Sequence, residues 1–485
     1  MSILHCLYKY MIGQRGVISM FKASKVLFFV LVLSLCFSLA RADDQAAKEG
    51  PPSPEDLIDM GELESEAAVF REMVVSETAT MSEKRTLDIA ANIYVLTRED
   101  IDALRPRDVM DLFRAIPGLD VSRFSDRTRA ISPPGLNFIR VNQYLVMVDG
   151  IAFPTERAGG ADWPPLPIPI DQIEKVEYLS GPKTALYGPN AAAGVINIVT
   201  RRANPKLWGE NPSTASVQAG TQDFAKVAVA VNEERKDTAY TVWATHRSSD
   251  GYGVPTYPQG VPMALQVDGD ESDDLAMGVT INRQLRQGES LRFGLNVHKC
   301  EFEQFMTEST SNTTWDTDRT KLVSNIIYKK QLRDNQHFTF KINHQNRDDD
   351  LSAVPYAAFG RTEDFEDFEH SQFEARHMTN MRNGNTLTFG ASYNRIAGEG
   401  FEYEADHSLN DFSFYGLADI KLNERDNLLL GVNSYSNSET DSDFTFTTGL
   451  LHKLNKDEVL RFGYATGISA PDLKVLYFNR LTIQV

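Results

Sequence analysis

From residue 203 to the end, the chain is a succession of segments of about ten residues in which apolar and polar side chains alternate. A period of two sends successive side chains to opposite faces of an extended strand, so each segment predicts a strand with one apolar face. Leu291, Phe293, Leu295 and Val297 are the clearest set, with Val227, Val229 and Val231, and Tyr240, Val242 and Ala244, repeating the pattern. Phe412, Phe414, Leu417 and Ile420 begin in register and slip by one residue at Tyr415-Gly416, which predicts either a bulge or a different facing. Short turns at 233–237, 286–289, 332–335, 381–385, 423–427 and 455–458 alternate with longer polar connections near 248–272, 303–317, 348–368, 397–410 and 437–443. Strands of this kind, joined by short turns on one side and long loops on the other, predict an antiparallel membrane-spanning barrel. A soluble β-sandwich is the alternative, and it needs no such alternation of connection lengths.

The stretch just before this half, Asp171 to Arg202, has a different grammar. Ile173, Val176 and Tyr178 mark one strand, and Gly194 to Val199 marks another. Between them lie a Gly181-Pro182 break and a small-residue turn, Tyr187-Gly188-Pro189-Asn190, where glycine admits positive φ and proline fixes the bend. Upstream, Asn92–Leu96 is strand-like, and Thr97 with Asp100 forms a capping box for a helix. A second helix after Pro106 carries Val109, Leu112, Phe113 and Ile116 on one face and is stopped by Pro117-Gly118. Leu119–Phe124 and Tyr144–Val148 are further strands, and Asp149-Gly150 is a turn before Ile151. A small mixed sheet with two helices accommodates all of these.

This region resembles the plug domain of TonB-dependent outer-membrane receptors. Ile173-Glu174, Val176-Glu177, Gly181-Pro182, Leu186-Tyr187-Gly188 and Gly194-Val195-Ile196-Asn197-Ile198 match, in order, the run that closes such plugs before the barrel begins. Leu112–Val121, with Pro117-Gly118 at its centre, and Leu145–Ile151, with Asp149-Gly150, resemble two earlier plug motifs. The chain departs from the family at Ser180, where an arginine is usual, and at Ile131–Asn137, where Pro134 takes an arginine's place. In the family that second segment meets the barrel interior, so anchoring or signalling is expected to differ here. Trp163–Pro169 is a stiff proline-rich run, either ligand-facing or a spacer.

The resemblance implies a segmentation. Lys22 and Lys25, the apolar run Val26–Leu39 and Ala40-Arg41-Ala42 compose a secretory signal peptide over 1–42, cleaved after Ala42. Its core is shorter than the roughly 20 residues of a spanning helix, Leu35 is too bulky for lipid attachment at Cys36, and Met20 is a second candidate start that would leave 1–19 untranslated. Residues 43–84 read as a flexible leader, its first part rich in Asp, Glu, Ala and Pro. Glu72, Met73, Val74, Val75 and Ser76 form a β-prone run at its end: either the first strand of the next domain or a TonB box that adds as an edge strand to the energy transducer. The plug is expected over 85–202 and the barrel over 203–485. The expected fold class is thus an α+β plug followed by an antiparallel transmembrane β-barrel, with about 13–14 strands present where plugged transporters have roughly 22. Ala470-Pro471, Asp472-Leu473 and Leu476-Tyr477 resemble a segment from within the family's barrel, and Val485 is not the usual terminal aromatic, so a fragment or a truncated gene is expected.

Composition narrows the function classes. A net charge of −18 argues against nucleic-acid binding, which leans on clustered Lys and Arg. Beyond residue 42 the sole cysteine is Cys300, so neither a disulfide within the mature chain nor a cysteine metal site is expected, and no metal site is expected elsewhere. His246, His298, His344, His370 and His377 show no ligand spacing along the chain, and the acidic runs Asp348–Asp350 and Glu363–Asp367 read as solvated loops. No nucleophile elbow, zinc helix or phosphate-binding loop is present, so neither catalysis nor a cofactor is expected. What the resemblance implies is capture of a scarce solute at the outer membrane of a Gram-negative cell and admission to the periplasm, driven through TonB. Ferric siderophores are the commonest cargo in the family, with cobalamin, haem, nickel and carbohydrates as others. The alternative is a surface ligand-binding protein, truncated or decayed, that no longer transports.

Overall fold

The computed structural model describes residues 75–76, 78, 81, 84–123, 129–133, 143–153, 168–201, 213–251, 254–256, 265–267, 271–308, 311–352, 363–382, 384–400, 407–440, 442–455, 458–469 and 476. The signal and most of the leader, including Glu72, Met73 and Val74, lie outside the described residues, as do Pro134–Asn137, Trp163–Pro167 and Ala470–Leu473.

The amino-terminal part is a small α+β unit. Two short strands, β1 (Val75–Ser76) and β2 (Lys84–Arg85), pair with one another. Next come β3 (Ile93–Leu96), helix α1 (Arg98–Leu104) and helix α2 (Val109–Arg114). Strands β4 (Asp120–Arg123) and β5 (Arg129–Ser132) pair with each other. Then follow β6 (Tyr144–Val148), β7 (Ile151–Ala152), β8 (Ile173–Ser180), a single helical turn α3 (Thr184–Tyr187) and β9 (Gly194–Thr200). The main sheet has the order β3-β8-β9-β6-β7, antiparallel except for the parallel pair β6 and β9. The expected caps form: Thr97 Oγ1 accepts from Asp100 N at 3.3 Å, and Asp100 Oδ2 accepts from Thr97 N at 2.9 Å. Val109, Leu112, Phe113 and Ile116 all turn into the core against Ile173, Val176, Ile196 and Ile198. The turn α3 is an addition to the sequence reading, which saw only the break and the small residues around it.

Among the described residues, the second part is one antiparallel sheet of 13 strands. Its members are β10 (Thr214–Ala219), β11 (Ala225–Arg235) and β12 (Thr238–Ser249), then, after a small separate hairpin of β13 (Val254–Thr256) and β14 (Leu265–Val267), β15 (Ser272–Arg286), β16 (Glu289–Glu308), β17 (Ser311–Arg333) and β18 (Gln336–Ser352). It continues through β19 (Glu363–Asn380), β20 (Thr386–Gly400), β21 (His407–Lys421), β22 (Asp426–Asn437), β23 (Asp443–Lys453) and β24 (Val459–Ala465). Each strand pairs with the next in the chain, the hairpin aside, as in an up-and-down barrel wall.

The wall curves round the first unit, since β10, β11, β16, β18 and β21 to β24 all hydrogen-bond to it. One wall face therefore looks inward on the plug and the other looks outward. The outward face is apolar, with Phe414 64% and Phe462 63% exposed, as a lipid-facing surface must be. At Tyr415-Gly416 the pairing of β21 is continuous on both sides, so of the two readings the different facing holds and there is no bulge: Leu417 points inward and is 2% exposed. It does so because the wall's inner face is apolar where it meets Leu186 of the plug, beside Leu429 and Leu451. The connection expected at 303–317 is instead strand, β16 and β17 running on as one ribbon to the pair Glu308 and Ser311. Finally, neither acidic run is a solvated loop: Asp348–Asp350 lies in β18, where Asp349 is buried against Arg319, and Glu363–Asp367 opens β19, where Glu366 is buried against Arg347.

Candidate functional site

The plug motifs converge on two places where the plug is held. The first is the amino-terminal latch. Ser76, the last residue of the candidate box, is fully buried, and Val75 and Ser76 pair with Arg85 and Lys84. Two residues on, buried Thr78 is bound from three sides. Asn197 Nδ2 donates to its Oγ1 at 3.0 Å, Tyr187 Oη donates to its carbonyl, and its own Oγ1 donates to Glu177. Glu177 is itself buried and ion-paired with Lys175 at 2.7 Å. Asn197 reaches further, because its Oδ1 accepts from Gly150 N at 3.0 Å. One asparagine thus ties the segment after the box to the Asp149-Gly150 turn. Thr78 carried no sequence signal, and only the fold brings it to Tyr187 and Asn197.

The second place is the Asp149-Gly150 turn, with φ of 51° and 73°. Both residues occupy the left-handed region, as a tight two-residue hairpin turn requires. The Asp149 carboxylate accepts from Thr200 N and Thr200 Oγ1, each at 2.8 Å, and pairs with Arg292 of β16. Lys341 of β18 donates to the Gly150 carbonyl at 2.8 Å and pairs with Glu374 of β19 at 3.0 Å. Gln345 donates to the Ala152 carbonyl at 3.0 Å. A cavity of about 60 Å³ lies alongside, lined among others by Asp149, Phe153, Trp243, Arg292 and Asn325. Its lining surface is mainly apolar, with Asp149, Arg292 and Asn325 among its polar groups, and its volume is enough to hold water.

The remaining motif residues shape the plug, and the turn α3 adds a further contact with the wall. Gly118 has φ of 85° just past Pro117, and its carbonyl accepts from Tyr178 Oη at 3.3 Å. Gly181 (φ 79°) and Pro182 turn the chain so that Lys183 folds back, donating to the Ser180 carbonyl at 2.7 Å. Burial pushes the Lys183 ammonium down to about 8. Gly188 (φ 77°) closes α3, whose Thr184 donates to the Thr466 carbonyl at 2.9 Å and accepts at its own carbonyl from Asn433 of β22 at 2.8 Å. Gly194 opens β9 where a side chain has no room.

The Lys183 shift has a testable sign. Its folded pKa lies below the unfolded value, so between about pH 8 and pH 10.5 the unfolded chain binds more protons, and plug stability rises with pH across that window. Below it the buried charge costs about 3 kcal/mol. Denaturation midpoints of the plug at pH 7 and pH 10 are expected to rise more in the parent than in Lys183→Met. Equal pH dependence in both would refute the assignment.

Known proteins agree with this architecture. Residues 85–195 match the TonB-dependent receptor plug domain, and residues 234–484 match the TonB-dependent receptor-like β-barrel. The vitamin B12 transporter BtuB of Vibrio cholerae is 28% identical over 185 residues, which are 37% of this chain and 29% of that protein. Among solved structures, a variant of the ferric enterobactin receptor PfeA of Pseudomonas aeruginosa superposes with a TM-score of 0.62 at 16% identity, covering 79% of this chain and 62% of that one. The siderophore receptor PirA of Acinetobacter baumannii gives 0.62 at 16% identity, covering 78% and 61%. The chain therefore spans less than two thirds of the length of these relatives. With a plug seated against a 13-stranded wall, and a barrel-family match over more than half its length, this chain belongs to the TonB-dependent receptors of the outer membrane.

Proposed function

We infer that this protein binds a scarce solute at the cell surface and admits it to the periplasm with energy delivered by TonB, a ferric siderophore being the first cargo to test. The observation that carries this reading is the latch. Asn197 ties the segment after the candidate box to the Asp149-Gly150 turn, which Arg292 and Lys341 of the wall hold, so a pull on the box has a path to the plug's seat. The relatives' cargoes, ferric enterobactin for PfeA and vitamin B12 for BtuB, set the two probes. On this reading the partners are TonB with its inner-membrane complex, outer-membrane lipid and the solute, and no cofactor takes part.

Deleting Glu72–Ser76 is expected to abolish uptake of labelled ferric enterobactin or vitamin B12 while surface binding of the same probe persists. Loss of binding together with uptake would sink the role given to the box. Binding that persists with uptake indifferent to TonB would instead identify a surface ligand-binding protein.

A further inference from the structure

The inner face of the wall carries a row of charged and polar side chains that lie directly opposite one another on six neighbouring strands: Arg247, Asp274, Cys300, Arg319, Asp349 and Glu366. Within it, the only cysteine beyond residue 42 is a direct cross-strand partner of an aspartate. His298 stands two residues before Cys300 on β16 and so projects from the same face. The ligand atoms of Asp274, His298 and Cys300 all lie within 4.8 Å of one another, and all three side chains are buried. The geometry points to a divalent-metal site here, formed by the Asp274 carboxylate, the His298 imidazole and the Cys300 thiolate, and suited to zinc or a similar late transition metal.

The donor set decides the class of ion. Calcium and magnesium take oxygen ligands, whereas one thiolate, one imidazole and one carboxylate suit the borderline-soft zinc group. Three protein donors leave a fourth tetrahedral position for water or for a group on a passing solute. The surrounding cations are already engaged. Arg319 makes two bonds of 2.7 Å to Asp349, Lys321 lies 4.0 Å from the Phe153 ring centre, and Arg347 pairs with Glu366 at 2.8 Å. Arg247 is the exception that bears on the site, since it holds Asp274 Oδ2 at 3.1 Å while Oδ1 faces His298 Nε2 at 3.2 Å. With metal bound, aspartate and thiolate together neutralise the ion, and Arg247 becomes the group that orients the carboxylate. The competing explanation is a plain polar network in which His298 only bridges to Asp274.

Cobalt(II) distinguishes the two, and the readout needs no transport. The full chain in detergent is expected to bind one equivalent with a thiolate-to-cobalt charge-transfer band that zinc abolishes. Cys300→Ser is expected to remove the band, and His298→Gln to weaken binding by more than about tenfold. Should Cys300→Ser fail to fold, as judged by circular dichroism, the unaltered protein still decides, because X-ray absorption of its zinc form is expected to show one sulfur among the ligands. A parent protein with no charge-transfer band, a band that survives in Cys300→Ser, or bound zinc without a sulfur ligand would overturn the site.

Discussion

Gly194→Val is expected to unfold the plug while leaving the wall intact. A Cβ built on Gly194 would stand 2.4 Å from the Leu179 carbonyl oxygen and 3.2 Å from the rings of both Tyr144 and Tyr178. The first contact is with backbone, so no rotamer change relieves it, and the strand itself must move. That strand is β9, which holds β8 on one side and β6 on the other, so a displacement at its first residue breaks the pairs of Gly194 with Ser180 and with Tyr144. Overpacking of this kind costs about 1–3 kcal/mol where side chains can yield, and the upper end is expected where they cannot. Limited trypsin digestion of the full chain reads the result: rapid cleavage within 85–201, with the wall fragment resistant. A plug as resistant as the parent would show that β9 can shift, and the argument from close approach would fail.

Asp149→Ala is expected to loosen the plug's seat by about 3–5 kcal/mol, the usual cost of stripping one partner from a buried ion pair. The carboxylate is nearly inaccessible, with its side chain 2% exposed, and it serves three donors at once: two on Thr200 and the guanidinium of Arg292. Its removal leaves Arg292 facing an apolar methyl, with the backbone N–H of Thr200 unserved as well. Adding Arg292→Met to Asp149→Ala is expected to recover a good part of the loss, because the stranded charge is then gone. Denaturant midpoints of the two single variants and the double variant form the cycle that checks this. Strict additivity would mean that the pair does not couple and that the seat depends on Lys341 and Gln345 instead.

Much of this architecture is legible in the sequence, for reasons that differ by region. The plug's caps and breaks are local: Thr97 needs only Asp100 three residues on, and Asp149-Gly150 needs only its own backbone to turn. Alternation likewise shows which residues share a face within one strand. It does not show what stands opposite, because register is a property of two strands and of the turn between them. Hence Asp349 and Arg319, thirty positions apart, read as a loop acid and an unremarked base, yet they form a buried two-bond pair. The same blindness separated Asp274 from Cys300. At β21 the pattern misled for another reason: the inner face there meets the plug and is itself apolar, so polarity no longer marks the sides.

The place of β3 in the plug sheet has a mechanical meaning. The first strand of that sheet in the chain is one of its two edges, held by β8 alone through four residue pairs. A tension applied from the chain's beginning therefore loads, in turn, the two pairs of β1 with β2, the knot at Thr78, and then this edge strand. Of β9 only the Asn197 side chain takes part in these steps, while the strand's pairs with β8 and β6 lie deeper in the sheet. The plug is laid out like a seam with its loose thread at the periphery.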